Sequence, residues 1–136
     1  MRYLSGIYAL NVPSSDGTPG DWHNSGIDWS HPLYLDTKES IFGDFGIRPT
    51  FIPGLGVTPT ASHIRACLDL LASGNYGTPQ GMRQDFIANE SLTPIIFNLV
   101  LMMRSLPNWQ EIESFMLREY GRTWAAFSNK ATGILG

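Results

Sequence analysis

The chain has 136 residues, 43% of them hydrophobic and 15% charged, with a formal net charge of −3; this composition excludes intrinsic disorder and offers no long-range attraction for a polyanion. Nucleic acid is therefore not expected as the main ligand. The single cysteine, Cys67, excludes an intramolecular disulfide and, between Ala66 and Leu68, reads as a small buried hydrophobe rather than a reactive thiol.

In chain order, Arg2 to Val12 is rich in β-branched and aromatic residues and is expected as a buried strand, although Leu4, Ile7 and Tyr8 also follow a helical spacing. Ser5, Gly6 and Asn11 interrupt it and no small-residue cleavage site follows, which argues against a secretory signal. Pro13 to Gly20 is dense in turn formers and predicts an exposed loop. Asp21-Trp22-His23 and Ile27-Asp28-Trp29 predict a bent, hairpin-like excursion. Leu33-Tyr34-Leu35 and Ser40-Ile41-Phe42 are short apolar pieces, and Thr50-Phe51-Ile52, bracketed by Pro49 and Pro53, is limited to an edge strand or extended loop.

From Thr58 onward the character changes. Thr58-Pro59, Thr78-Pro79 and Thr93-Pro94 are helix-start signals: threonine accepts from an orphaned N–H, and proline at the first position loses no hydrogen bond. They predict helices over Pro59–Ser73, ending at Gly74, over Pro79–Asn89, and over Pro94–Leu106. The last of these is apolar on nearly every face, as a central core helix would be. Pro94 to Met103, interrupted by Asn98, is too short to span a bilayer. Asn108 with Glu111 has capping-box spacing for a fourth helix to Tyr120, with Trp109, Ile112, Met116 and Tyr120 inward and Gly121 as its stop. A last short helix, Thr123–Asn129, would dock Trp124 and Phe127. The expected fold is α+β in a single domain, 1–136: an irregular N-terminal part of short extended segments (1–58) packed on a C-terminal bundle of four to five short helices (59–136).

Leu4-Ser5-Gly6-Ile7-Tyr8-Ala9-Leu10-Asn11, Gly20-Asp21-Trp22-His23, His63-Ile64-Arg65-Ala66, Leu68-Asp69-Leu70-Leu71, Gln80-Gly81-Met82 and Asp85-Phe86-Ile87 together resemble a group of small bacterial proteins carried on mobile elements. Some of these are encoded beside nucleotidyltransferase-type toxins. The resemblance implies an accessory or neutralising, antitoxin-like protein and carries no catalytic residue with it.

Asp21, His23, His31 and Asp36 are residue types that bind zinc or perform acid–base work. Their spacing matches no structural zinc pattern, so neither a metal nor another cofactor is expected. Arg65 and Asp69, four residues apart, read as a surface ion pair beside His63. Gly54-Leu55-Gly56 lacks the later glycine and lysine of a phosphate loop, and the methionines Met102, Met103 and Met116 read as core.

Residues 1–58 carry Arg2, Lys38 and Arg48 against Asp16, Asp21, Asp28, Asp36, Glu39 and Asp44, whereas the remainder is balanced. A basic partner meeting the first half follows from that division. The sequence therefore points to a non-enzymatic, cytoplasmic protein that binds another protein or itself, with no membrane role. Asp21, Trp22, His23 and Trp29 are the expected contact residues, because exposed aromatics anchor interfaces. Two alternatives stand beside it: a small hydrolase or transferase using Asp21 and His23, and a small-ligand-binding module with an aromatic cavity.

Overall fold

The computed structural model of the chain describes residues 1–14, 17–22 and 27–131. Its N-terminal run does not stay extended. Strand β1 (Arg2–Leu4) ends at Ser5, whose N–H donates to the Leu33 carbonyl, and the chain then turns into helix α1 (Gly6–Leu10). This helix buries Gly6, Ala9 and Leu10, whereas Ile7 and Tyr8, which carry the helical spacing, are half-buried. Asn11 closes the helix, its Nδ2 donating to Ile7 O at 2.8 Å and to Trp22 O at 2.7 Å.

Strand β2 (Tyr34–Asp36) pairs antiparallel with β1. Asp36 then caps a single 3₁₀ turn over Thr37–Glu39 by accepting from Lys38 N–H. Strands β3 (Ile47–Ile52) and β4 (Gly56–Ala61) form a hairpin, and β4 lies parallel to β1, giving a four-stranded mixed sheet of order β2-β1-β4-β3. Pro53 and Gly54 occupy the centre of the hairpin turn, with Gly54 at φ +86° and Leu55 N–H donating to Ile52 O; proline followed by a left-handed glycine is the type II arrangement. The Gly54-Leu55-Gly56 glycines thus serve this turn.

The expected strand at Thr50–Ile52 is present at the sheet's edge, longer than its prolines suggested. Pro49 faces Pro59 across the hairpin. Neither residue has an N–H, so this is a non-hydrogen-bonded pair and both prolines fit the ladder without loss. Thr58-Pro59 is consequently part of a strand and not a helix start, which corrects the helix expected from Pro59. Helix α2 (His63–Ser73) begins four residues later, where Ser62 Oγ accepts from Arg65 N–H at 3.1 Å as the N-cap. It ends before Gly74, as expected.

The second expected helix, Pro79–Asn89, is replaced by a π-type turn over Met82–Phe86, where Asp85 and Phe86 N–H groups both donate to Gly81 O. Gly81, the third residue of that expected helix, weakens an α-helix by about 1 kcal/mol and stands at φ +91°. Helix α3 (Thr93–Leu101) runs into a 3₁₀ turn over Met102–Ser105. It buries Ile96, Phe97 and Val100 but leaves Ile95 and Met102 exposed, so it is one-sided rather than central.

Helix α4 (Trp109–Tyr120) buries Ile112, Phe115, Met116 and Tyr120, and helix α5 (Arg122–Ala131) follows directly after Gly121. The predicted capping box is not formed. Asn108 Nδ2 instead donates to Leu71 O at 3.0 Å and Tyr76 Oη at 2.8 Å.

The chain divides into two compact units, Met1–Leu70 and Leu71–Gly136, with the division inside α2 rather than near Thr58. In the first, Leu4, Val12 and Ile52 form a core cluster with Tyr8, Tyr34 and Leu55 against it. In the second, Phe97 stands edge-on to Tyr120 and Trp124 at ring separations of 5.1 and 5.2 Å. Cys67, Met103 and Met116 are buried as expected, whereas Met102 is not. Among the described residues no helix is long and apolar enough to cross a membrane.

Two glycines with left-handed backbones separate the effects of φ and space. At Gly46 (φ +72°) a Cβ would stand 2.8 Å from Ser62 Oγ and 3.0 Å from Arg65 Cβ, whereas at Gly54 it would meet nothing within 4 Å. Gly54→Ala is expected to cost about 1–2 kcal/mol from backbone strain alone. Gly46→Ala should add an overpacking cost of roughly 1–3 kcal/mol. Urea unfolding of both variants checks this; equal midpoints would contradict it.

Candidate functional site

Helix α2 is buried at every residue from His63 to Leu71. Arg65 and Asp69 are therefore not the surface ion pair that their spacing suggests. Both are buried, with Arg65 Nε donating to Asp69 Oδ1 at 3.1 Å. Arg65 Nη1 donates to the Phe45 carbonyl at 2.7 Å, and Nη2 donates to Tyr3 Oη and to Ser40 Oγ, both at 3.0 Å. Asp69 Oδ2 accepts from Tyr3 Oη–H at 2.8 Å and Ser5 Oγ–H at 2.7 Å. The guanidinium also lies 4.9 Å from the Tyr3 ring centre.

Burial, reinforced by the Asp69 charge and its hydrogen bond, holds the Tyr3 phenol well above the usual tyrosine range; Arg65 opposes this with a smaller effect. Every member of this cluster has a neighbour within the cluster. The missed signal lies in the sequence: between Pro49 and Met82, Arg65 and Asp69 are the only Asp, Glu, Lys or Arg. A lone opposite pair inside a long uncharged run has no solvated charged face to belong to.

His63 is buried at the first turn of α2. Its Nε2–H donates to Val12 O at 2.8 Å, its Nδ1 meets Thr18 Oγ1, and its backbone N–H donates to Ser14 Oγ. The ring stands edge-on to Trp22 at 6.0 Å. His63 thus clasps both ends of the turn-rich loop that follows α1.

The four expected contact residues separate. Asp21 is exposed. Trp22 is 0% exposed, which corrects its reading as a surface anchor: the indole fills the interior beside His63. His23 lies outside the described residues, so the acid–base pair expected of Asp21 and His23 has only its sequence basis. Trp29 is 36% exposed and rests edge-on against Tyr8 of α1 at 5.2 Å. Leu33, also exposed, lies over Gly6 of the same helix.

His31 and Asp36 do not meet either. His31 Nδ1 contacts Asp28 Oδ2 at 3.4 Å and Ser30 Oγ at 3.0 Å. These three residues repeat the residue types of a hydrolase triad, yet both contacts fall on one ring nitrogen, so the imidazole cannot relay a proton between serine and carboxylate. Hydrogen bonds from the Ser30 hydroxyl and N–H, and then from His31, hold the Asp28 carboxyl below its ordinary range. The Lys38 N–H does the same for Asp36. Among the described residues no group of three or more His, Cys, Asp or Glu could hold a metal ion.

In the second unit a surface groove of about 380 Å³ is floored by Phe97 and Phe127 and edged by Glu90, Thr93 and Thr123. Its one carboxylate accepts from Thr93 Oγ1 at 3.2 Å and lies 3.6 Å from Arg83 Nε.

No family model matches the chain, and no match is found among curated proteins or solved structures.

The raised Tyr3 proton affinity makes stability sensitive to alkali. Below the ordinary tyrosine pKa of about 10 both folded and unfolded chains keep the proton. Above it the unfolded chain loses its proton first, so folding stability falls as pH rises. Melting temperature is expected to drop more between pH 9 and pH 11 in the wild type than in Tyr3→Phe. Identical drops would contradict the arrangement.

Proposed function

We propose that this chain is a cytoplasmic, non-enzymatic protein-binding factor, of the antitoxin-like or mobile-cassette accessory kind, that meets a basic protein through its first unit. The observation that carries the reading is Trp29, turned outward while buttressed by the Tyr8 ring on a unit whose free charge is negative. Because Arg65 and Asp69 cancel in the interior, the remaining charges of Met1–Leu70 are three cationic against six acidic side chains. A rigid, partly exposed indole with negative surroundings suits a contact that is steered by charge and anchored by an aromatic ring. Asp21 is one of those acidic side chains and is exposed, while Trp22 is buried.

Co-expression of the tagged chain with the products of its neighbouring genes tests the reading. A basic partner is expected to co-elute with the wild type and, if it is a toxin, to lose its growth-arresting effect. Trp29→Ser should weaken the complex at least tenfold, about 1.4 kcal/mol, while the free chain, though destabilised by loss of the Tyr8 contact, still unfolds cooperatively. Absence of any partner at micromolar concentration, or a complex indifferent to Trp29→Ser, would contradict it.

A further inference from the structure

Residues 49–62, which span the turn and most of the β3–β4 hairpin, contain no charged side chain. Strand alternation sends Ile52, Thr58 and Thr60 to one face, where they are buried. On the other face Phe51 and Val57 lie directly opposite each other and are 70% and 71% exposed. The next pair on that face is Pro49 and Pro59, exposed and half-buried.

Since the proline pair is non-hydrogen-bonded, Phe51 and Val57, two positions along, form the same type of pair. In that type the side chains stand closest. The four residues therefore make one continuous apolar surface. Strand addition at the hairpin's edge is disfavoured, because Pro49 sits at an outward-facing position of β3 and offers no N–H to a new strand. The hairpin presents a face rather than an edge.

Charge and area select the occupant. A second copy would bring the same net −3 against this unit and be repelled. Phe51 and Val57 together present on the order of 200 Å², far below the roughly 800 Å² per partner of an ordinary globular interface. We infer that the outer face of the β3–β4 hairpin docks a short protein segment with one or two apolar anchors flanked by Lys or Arg. The inference rests on the protein-binding reading above and adds a second contact surface to it, apart from Trp29.

Selection of a random 16-residue peptide library displayed on phage, run on the wild type and on Phe51→Ser, Val57→Thr and Trp29→Ser, tests it. Enriched peptides should carry an aromatic or aliphatic anchor with basic flanks. A synthetic copy of one should bind at least tenfold more weakly to Phe51→Ser and to Val57→Thr, and more weakly to the wild type at 0.5 M salt. Both substitutions are at exposed positions, and unchanged melting temperatures verify that folding is intact. Lack of enrichment, enrichment of acidic or uncharged peptides, or affinity unaffected at Phe51 and Val57 overturns the inference. If Trp29→Ser alone abolishes binding, the hairpin surface is refuted while the protein-binding reading stands. If sedimentation shows a dimer that Phe51→Ser dissolves, the face belongs to a second copy and the basic segment is refuted.

Discussion

An arginine and an aspartate removed from water in the middle of a helix organise the first unit of this protein. Taking two charges out of water costs several kcal/mol per ion, and the cost is offset only when geometry and additional hydrogen bonds satisfy what water would have satisfied. Arg65 meets that condition with Asp69, Tyr3, Ser40 and the Phe45 carbonyl, and Asp69 meets it with Arg65, Tyr3 and Ser5. These partners come from β1, the residue after it, and the turn region before β3. The central strand and the neighbouring turns are therefore positioned by demands of the α2 side chains, and Gly46 is small because the chain must pass directly over Ser62 and Arg65.

The same pair shapes the surface. With one charge of each sign enclosed, the outside of the first unit keeps an acidic excess and few cations. His63, the first residue of the same helix, holds Val12 and Thr18 while Trp22 fills the space beside it. The loop after α1 is thus pinned at described points on both sides, and Trp29 is delivered outward onto Tyr8. Polar groups inside this unit build the scaffold, and Trp29, Leu33, Phe51 and Val57 stay exposed outside it.

How much of this was legible in the residues depends on whether the deciding interaction was local. Helices α3, α4 and α5 and the end of α2 at Gly74 were readable because apolar periodicity and stop residues lie within one or two turns of each other. The α+β class and the edge strand followed from similar local signals. Thr58-Pro59 misled because the same dipeptide fits a strand when another proline stands opposite it, and that partner, Pro49, is ten residues away in sequence. Asn108 misled for a similar reason: Leu71 O and Tyr76 Oη claim its amide. Of the expected contact residues, Trp29 is exposed and Trp22 is buried. An indole beside glycine and aspartate looks exposed until the histidine that covers it, forty-one residues later, is brought alongside. Phe51 and Val57 were visible as apolar residues, but their shared exposed face exists only once the hairpin register is set.

The most direct measurement is a double-mutant cycle on Arg65→Met and Asp69→Leu, followed by urea unfolding. An enclosed, mutually satisfying pair predicts that each single change destabilises by about 3–5 kcal/mol, that the double change costs far less than their sum, and that the coupling reaches about 2 kcal/mol or more. Single effects below about 1 kcal/mol that simply add, as for an exposed pair at this helical spacing, would contradict the account at its base.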